Sequence, residues 1–254
     1  MSERTPEREP RAFFVTGTDT DAGKTLVSCA LLHGFAQAGR RCVGMKPVAA
    51  GATLHDGVWN NDDVLALQAV SNVVLPQSLI NPYLFRLAAA PHIAAKQENK
   101  TIELAPVLTA FEVLAGQAEV VVVEGAGGFR VPLNAQFDMA DLAQQLNLPV
   151  VLVVGMRLGC ISHALLTVES IASRGLSLAG WVANCIDDAM PYLDDNIAAL
   201  RERISAPLLG CIPRLAQPVA AAAAAYLNLT PLLATRSALA RESMINDETG
   251  LHNE

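Results

Sequence analysis

A short polar loop between an apolar segment and a helical pattern carries the residues best suited to chemistry. It begins at Thr16 and ends in Gly23-Lys24-Thr25. Backbone N–H groups in the first turn of a helix lack an intrahelical acceptor and point towards an anion. Gly23 lets the main chain approach phosphates, Lys24 can reach β- and γ-phosphates, and the Thr25 hydroxyl can ligate Mg²⁺. The segment predicts a P-loop, the alternative being a chance Gly-Lys-Thr at a helix start.

The spacing of this loop departs from the standard pattern of a glycine four residues before Gly-Lys-Thr. Thr18 stands where that first glycine belongs, and Gly17 comes one position too early. We therefore expect a variant of the phosphate loop.

Two carboxylates are candidates for the oxygen ligands that Mg²⁺ requires. Glu124 follows four consecutive valines, at the carboxyl edge where open α/β sheets bind ligands. It precedes Gly125-Ala126-Gly127-Gly128, which we interpret as a flexible loop that could approach phosphates. Asp63 opens a predicted helix after Asn60-Asn61-Asp62. A helix N-cap role for Asp63 and a plain surface position for Glu124 stay open as alternatives.

Three further positions fall at strand ends of the same predicted edge. Lys46 is either a solvated lysine or a cation aimed at the charge that develops in phosphoryl transfer. The turn from Gly159 to Ser162 opens a helix whose amides could hold a carboxylate or phosphate, unless Ser162 simply caps it. Asn184 could read a purine edge, although asparagine is common at strand ends.

Composition restricts the classes of function. The 254 residues carry 18 Lys+Arg against 25 Asp+Glu, a net charge of −7. Proteins that bind nucleic acid by neutralising phosphates usually carry a basic surplus, so this class is disfavoured. A polyanion must be bound by a local cluster instead. The five cysteines are scattered without a Cys-x-x-Cys pair, which favours buried thiols in a reducing compartment.

Alternating strand and helix patterns predict one doubly wound α/β domain, with a mainly parallel sheet flanked by helices. The valine run from Glu119 to Glu124 indicates a strand buried on both faces. The predicted strands and helices are then, in order, Ala12–Thr16, Lys24–Ala38, Arg41–Val48, Asp63–Val70, Ile102–Ala115 with Thr101 as N-cap, Glu119–Glu124, Met139–Leu146, Pro149–Gly155, Ile161–Arg174, Leu178–Asn184, Tyr192–Ile204 and Pro207–Cys211.

We expect a flexible N-terminus over residues 1–11, the domain over 12–235 and a frayed tail over 236–254. The segment Leu215–Thr235 has membrane-span length without a charge, but prolines and polar residues interrupt it. It is interpreted as a helix followed by a loop, and the protein as cytoplasmic.

The sequence resembles the dethiobiotin synthase family of P-loop proteins, from about Phe13 to Thr235. The shared motifs occur in the family's order: VTGTDTDAGKT, MKPVAAG, NNDDVLALQ, NPYLF, VEGAGG, VVGMRLGCISHALLT, GWVANC and LLGCIPRL. The resemblance implies a homodimeric, cytoplasmic cyclo-ligase that uses ATP and Mg²⁺ and binds neither nucleic acid nor membrane. It would close the ureido ring of 7,8-diaminononanoate with CO₂ or bicarbonate through a carbamate and a mixed anhydride, giving dethiobiotin, ADP and phosphate.

The resemblance also implies roles for individual positions. Lys46 matches the active-site lysine, while Lys24 and Thr18 would steady the carbamate and the phosphoryl oxygens. Thr25, Asp63 and Glu124 would surround Mg²⁺. The nucleotide would contact Asp21, Ala22, Gly23, Lys24, Thr25, Leu26, Asp63, Glu124, Gly125, Ala126, Gly127, Asn184, Cys185, Pro213, Arg214 and Leu215. The substrate would contact Lys46, Ala50 and, from the second subunit of a shared active site, Cys160, Ile161 and Ser162.

The chain departs from the family at four of these positions. Ala50 replaces a serine, so one substrate hydrogen bond is expected to be missing or water-mediated. Cys185 replaces an aspartate and Arg214 an aromatic residue, which bears on base selectivity. Ser162 replaces an asparagine.

Three rival functions stay open: a partition-type ATPase switch, a cobalamin-pathway amidation domain, and another small-molecule ATP-dependent ligase or kinase. A partition-type ATPase switch would need an early signature lysine where Thr18 and Asp19 stand. It would also need a basic or amphipathic docking surface that the C-terminal segment lacks. A cobalamin-pathway amidation domain would be joined to a glutaminase domain.

Overall fold

The computed structural model describes residues 11–55, 57–187 and 189–233. The predicted tail over 236–254 and residues 1–10 of the predicted flexible N-terminus lie outside this range. Arg11 belongs to the first strand, where its backbone N–H donates to the Glu119 carbonyl at 2.9 Å.

A six-stranded parallel sheet forms the centre of the molecule, as the sequence predicted. Its strand order is β10-β9-β8-β1-β7-β2, which places β1, the strand before the P-loop, between β8 and β7. The strands of this sheet are β1 (Arg11–Gly17), β2 (Cys42–Met45), β7 (Val120–Gly128), β8 (Val150–Met156), β9 (Leu178–Cys185) and β10 (Leu208–Ile212).

Helices cover both faces of the sheet. Helix α1 (Lys24–Gln37) covers the face that receives Phe13 and Val15, whereas Phe14 packs into the core beneath α5 (Leu104–Gln117). Successive side chains of a strand point to opposite faces, so the apolar run of β1 serves two cores. The remaining main helices are α2 (Asp62–Val70), α4 (Pro91–Gln97), α6 (Met139–Leu146), α7 (Cys160–Ser173) and α8 (Leu193–Arg203).

Four predicted elements differ from the structure. The predicted strand Arg41–Val48 is interrupted, because Pro47 has no N–H and the Lys46 N–H donates to the Ile80 carbonyl at 2.8 Å. The chain resumes as β3 (Val48–Ala50), which pairs with β6 (Tyr83–Phe85) in a separate parallel ladder. Residues 125–128, interpreted as a flexible loop, continue strand β7.

The third difference lies at α5, which begins at Leu104 with Glu103 at its N-cap, so Thr101 as N-cap was wrong. Ile102 is fully buried and stands before the helix, and Pro106 lies in its first turn, where no N–H is needed.

Small elements complete the described chain and were not predicted from periodicity. A hairpin joins β4 (Thr53–His55) to β5 (Val58–Asn60), and α3 (Gln77–Ile80) precedes β6. The uncharged segment after Leu215 holds two short helices, α9 (Ala220–Ala224) and α10 (Thr230–Leu233), instead of one. Among the described residues, no helix combines the length and apolar character needed to span a bilayer.

Candidate active site

The candidate site lies where the carboxyl ends of the parallel strands meet. Strand β1 leads into the P-loop, β2 ends immediately before Lys46, and β7 carries Glu124. Asp63 comes from the first turn of α2. Parallel pairing brings these ends to one edge, so the structure joins the two lysines and two carboxylates that the sequence singled out.

The P-loop turns through left-handed backbone conformations. Gly23 has φ +91° and caps α1 without a side-chain hydrogen bond, and Asp21 has φ +60°. A Cβ atom on Gly23 would lie 2.0 Å from Asn184 Nδ2. Glycine is therefore required twice here, by conformation and by space. The uncapped first turn of α1 leaves its amides available to an anion.

Lys24 is almost fully buried beneath this turn. Its Nζ donates to the Asp19 carbonyl at 3.1 Å. Burial is the main cause that lowers the pKa of Lys24 to about 8, assisted by the nearby Lys46 charge and opposed by the carboxylates of Glu124, Asp63 and Asp21. A phosphate beside Nζ would favour the charged form of this lysine.

A compact group of oxygens surrounds the Thr25 hydroxyl. Thr25 Oγ1 lies 2.7 Å from Asp63 Oδ1 and 2.8 Å from Glu124 Oε1. The hydroxyl has one hydrogen, so it can donate to only one carboxylate at a time. Glu124 is fully buried, and its Oε2 has no hydrogen-bond partner. An unpartnered carboxylate oxygen in the interior is costly, and a bound cation would satisfy it.

Mg²⁺ fits this arrangement of donors. Thr25, Asp63 and Glu124 offer hard oxygens, and Mg²⁺ is commonly held by one or two carboxylates together with substrate phosphates and water. No group of three or more His, Cys, Asp or Glu residues that could hold a metal occurs within the part of the chain that the structure describes.

Lys46 forms ion pairs with the carboxylates of Glu124 and Asp63. Its Nζ lies 2.6 Å from Glu124 Oε1 and 2.8 Å from Asp63 Oδ2, and it donates to the Gly125 carbonyl at 3.3 Å. Burial alone would lower the pKa of Lys46, but the attraction of Glu124 and Asp63 exceeds that penalty, and the net shift is upward. The charged form of Asp63 is also favoured by its neighbours. Burial would raise its pKa, yet Lys46 and Thr25 hold it below the usual value.

Two asparagines that sequence reasoning missed hold this group in place. The Asn81 side chain donates to the Lys46 carbonyl at 2.6 Å and to the Tyr83 carbonyl at 2.9 Å. Asn61 accepts from the Asp63 amide at 3.1 Å and donates to the Ala50 carbonyl at 3.2 Å. Asn61 caps α2 in place of Asp63, so the N-cap alternative for Asp63 was wrong. Both asparagines stand in the motifs NPYLF and NNDDVLALQ, which were the available signal.

The predicted base-binding residues gather at the ends of β9 and β10. Asn184 Nδ2 donates to the Ala22 carbonyl at 2.9 Å, so it braces the P-loop from behind. Arg214 donates to the Ile186 carbonyl at 2.6 Å. Arg214 is exposed, whereas Pro213 and Leu215 are half-buried.

The other predicted positions lie around this centre. The Thr18 amide donates to the Val153 carbonyl at 3.0 Å, and its hydroxyl accepts from the Gly155 amide at 3.4 Å, which fixes it against β8. Ala126 and Gly127 are half-buried in β7, and Leu26 lies in the first turn of α1.

The turn at the start of α7 is capped by Gly159, with φ +94° and no side-chain bond, so capping by Ser162 was wrong. Cys160 is buried, Ile161 is half-buried and Ser162 is exposed. An ion pair between Arg157 and Asp19 ties this turn to the P-loop.

The chain is similar in sequence to proteins of a known family. A family model described as an AAA domain, AAA_26, matches residues 11–222. The ATP-dependent dethiobiotin synthetase BioD of Janthinobacterium sp. (strain Marseille) is 55% identical over 86% of this chain and 94% of its own length. The protein of the same name from Aromatoleum aromaticum is 58% identical over 87% of this chain and 98% of its own length.

Solved structures with the same fold are more distant in sequence. The septum site-determining protein MinD of Pyrococcus horikoshii, complexed with Mg-ADP, has a TM-score of 0.52 at 18% identity, covering 80% of this chain and 81% of that one. The signal recognition particle receptor FtsY of Elizabethkingia anophelis has a TM-score of 0.50 at 14% identity, covering 89% and 65%. These likenesses show the P-loop fold alone. The identity to the two synthetases over most of their length shows that the chain belongs to the dethiobiotin synthetase family.

Proposed function

We propose that this protein is an ATP-dependent dethiobiotin synthetase. It would close the ureido ring of 7,8-diaminononanoate with CO₂ and convert ATP to ADP and phosphate. The observation that carries the proposal is the contact of Lys46 Nζ with Glu124 and Asp63, at 2.6 and 2.8 Å, beside the first turn of α1. The names of the two relatives support the choice of substrates.

The triphosphate would lie across the corner between β1 and α1. The amides of residues 21–26 would bind phosphate oxygens, and Lys24 would become fully charged as its Nζ gains an anionic neighbour. The β7 segment Gly125–Gly127 would line the other side of the phosphates. Because the protein has a net charge of −7, attraction must come from these local groups.

Thr25, Asp63 and Glu124 would hold Mg²⁺, and the orphaned Glu124 Oε2 is the observation that supports this assignment. When bound, Mg²⁺ neutralises charge on the phosphate oxygens. We expect Thr25→Val, Asp63→Asn and Glu124→Gln each to raise the Mg²⁺ concentration needed for half-maximal activity. Titration curves that overlay the wild type for all three variants would remove the metal assignment.

The reaction itself would proceed in three steps. One substrate amine adds to CO₂ and loses a proton, giving a carbamate. A carbamate oxygen then forms a bond to the γ-phosphorus while the bond from that phosphorus to ADP breaks. Finally, the second amine attacks the carbonyl of this mixed anhydride and loses a proton, the C–O bond to the phosphoryl group breaks, and the ring closes with release of phosphate. Lys46, Lys24 and Thr18 would contact the carbamate and the transferring phosphoryl group, where preorganised donors stabilise developing charge.

The remaining predicted residues would bind the adenine of ATP and the substrate. Asn184, Cys185 and residues Pro213–Leu215 would border the adenine. A second copy of the chain would complete the substrate pocket, with the amides of Cys160–Ser162 from the partner subunit binding the carboxylate and Ala50 lying near the substrate. A homodimer and a cytoplasmic location are parts of this proposal.

The test is a coupled assay of phosphate release. We expect release from ATP to require both diaminononanoate and bicarbonate, with dethiobiotin formed in equal amount. ATP hydrolysis at the same rate with and without the diamine would instead favour a nucleotide switch. For the shared site, mixing an inactive Lys46 variant with an inactive variant of the Cys160–Ser162 turn should restore partial activity. No recovery would contradict a pocket built by two subunits.

A further inference from the structure

Two thiols meet at the base-binding end of the site. Cys185 Sγ and Cys211 Sγ lie 3.8 Å apart, on the neighbouring strands β9 and β10. Cys211 pairs in register with Ala183, two residues before Cys185, so both cysteines project from the same face of the sheet. Both belong to the apolar core formed with α7 and α8.

We infer that Cys185 and Cys211 form a reversible disulfide that controls nucleotide binding. The inference rests on the proposed function, because it places the regulated contact at the base end of the ATP site. One of the two sulfurs belongs to Cys185, a position where the family resemblance implies an aspartate.

The two strands stand too far apart for a disulfide, so forming the bond must move them. A disulfide needs about 2.05 Å between sulfurs and Cα atoms roughly 4.4–6.8 Å apart, whereas diagonal neighbours on adjacent strands stand about 7–8 Å apart. The ends of β9 and β10 must therefore move together when the bond forms. Both cysteines lie at or next to the last residue of their strands, so the shift is confined to the ends of β9 and β10.

This movement reaches the P-loop through the residue before Cys185. Asn184 faces the opposite side of the sheet, where its Nδ2 donates to the Ala22 carbonyl at 2.9 Å. Its amide group also fills the space beside Gly23. Drawing Cys185 towards β10 pulls on Asn184, so the oxidised protein holds the P-loop less well. A bond formed with such distortion is readily reduced again, which suits a regulatory role.

The chemistry requires a peroxide as oxidant. Cys211 is the more accessible thiol, and its thiolate attacks one peroxide oxygen, breaks the O–O bond and becomes a sulfenic acid with release of water. The Cys185 thiolate then attacks that sulfur, the S–S bond forms, and a second water leaves. The two thiols together lose two electrons and two protons, and the peroxide is reduced to two waters.

Two other cysteines are protected from this reaction. Burial raises the pKa of Cys29 to about 12, with nearby carboxylates adding to the shift, and burial also raises the pKa of Cys42. Thiols that stay protonated react slowly with peroxide. Cys42 therefore provides a matched control at a site remote from the pair.

The experiment exposes the full-length reduced protein to hydrogen peroxide, maps disulfides by mass spectrometry of peptides, and measures ATP affinity by calorimetry. We expect a Cys185–Cys211 bridge, a loss of ATP affinity of about tenfold or more, and full recovery with dithiothreitol. Cys211→Ala should bind ATP like the reduced wild type and keep that affinity after peroxide. Cys42→Ala should oxidise and weaken like the wild type.

Each alternative result has a defined meaning. A bridge elsewhere, or Cys211 oxidised without a bridge, overturns the inference, and so does a Cys185–Cys211 bridge that leaves ATP affinity unchanged. Thermal unfolding shows whether Cys211→Ala is folded. If it is not, Cys185→Ala replaces it as the variant that lacks one of the two thiols in the peptide mapping. Peptide mapping does not depend on catalysis. Failure of the reduced protein to release phosphate with the diamine would refute the proposed function without deciding the thiol chemistry.

Discussion

The phosphate end and the base end of the proposed nucleotide site are held by different contacts. At the phosphate end, Lys46 forms ion pairs with Glu124 and Asp63, and one oxygen of Glu124 has no partner. At the base end, Asn184 and Arg214 already donate to backbone carbonyls of the protein. We therefore expect the phosphate end to carry the reaction, whereas the base end mainly supports the loop beside it.

Departures from the family follow the same division. The resemblance implies that the phosphate and metal positions match the family pattern, whereas Cys185 and Arg214 at the base end do not. Transition-state charge must be met by groups fixed in place, but adenine can be held by more than one set of contacts. Substitutions at the two ends should therefore differ in size and in the quantity they affect.

The largest effect is expected for Lys46→Gln. Loss of a preorganised donor to developing charge should lower kcat by about 10²–10³-fold while ATP affinity changes little. Steady-state phosphate release and calorimetric ATP titration separate the two quantities. Lys96→Gln, on the exposed surface of α4, is the matched control and should behave like the wild type. An unchanged kcat for Lys46→Gln would remove this lysine from the mechanism.

Lys24→Met should change stability with a definite dependence on pH. Since the pKa of Lys24 is lowered from 10.5 to about 8, the unfolded chain holds more protons than the folded protein between these values. Stability therefore rises with pH across this window, and the buried lysine is destabilising below it, by at most about 3 kcal/mol. In the absence of ligands, Lys24→Met should be more stable than the wild type at pH 7.

The gain from Lys24→Met should shrink as the pH rises above about 8, as measured by denaturant unfolding. Lys46→Met is the contrasting variant. The pKa of Lys46 is raised, so its stabilising effect is present below 10.5 and lost only above it, and removing it should destabilise the protein at pH 7. Equal effects of the two variants would contradict the difference in their surroundings.

Gly23→Ala tests the support that the base end gives to the phosphate end. The new Cβ would lie 2.0 Å from Asn184 Nδ2 and adopt φ near +91°, so we expect ATP affinity to fall about tenfold. Adding Asn184→Ala removes the clash but keeps the strained backbone. Partial recovery in the double variant would attribute the loss to the contact, and no recovery would assign it to the backbone conformation alone.

The smallest effect is expected for Cys185→Asp, which restores the family residue at the base end. Preference for ATP over GTP, measured as a ratio of kcat/KM values, should rise by a few-fold because the site gains a polar group suited to the base. Cys185→Ser is the size-matched control. A change in kcat at saturating ATP would show that the two ends are not separable.

The sequence predicted the main architecture because its strongest signals are local and periodic. Strand β7 is fully valine over residues 120–123, and the polar P-loop lies between a strand and a helix, so both elements follow from pattern alone. The charged residues of the site were also found, because a lysine or carboxylate at a buried strand end is unusual.

The roles of Asn81 and Asn61 could not be predicted from the sequence. Each contacts a backbone group far along the chain, and such contacts exist only after folding. The small, glycine-rich residues 125–128 predict a loop, yet pairing of Gly128 with Gly17 extends the strand. Tertiary pairing outweighed local propensity there.

The position of β1 within the sheet has a consequence for heat inactivation. This strand is hydrogen-bonded on both sides, by β7 and β8, and its central residues are inaccessible to water. Its amides can exchange with solvent deuterium only when the sheet separates, so they should report the slowest opening of the molecule. The corner that follows β1 is anchored to this slowest region, and catalytic capacity should be lost together with the whole domain, not before it.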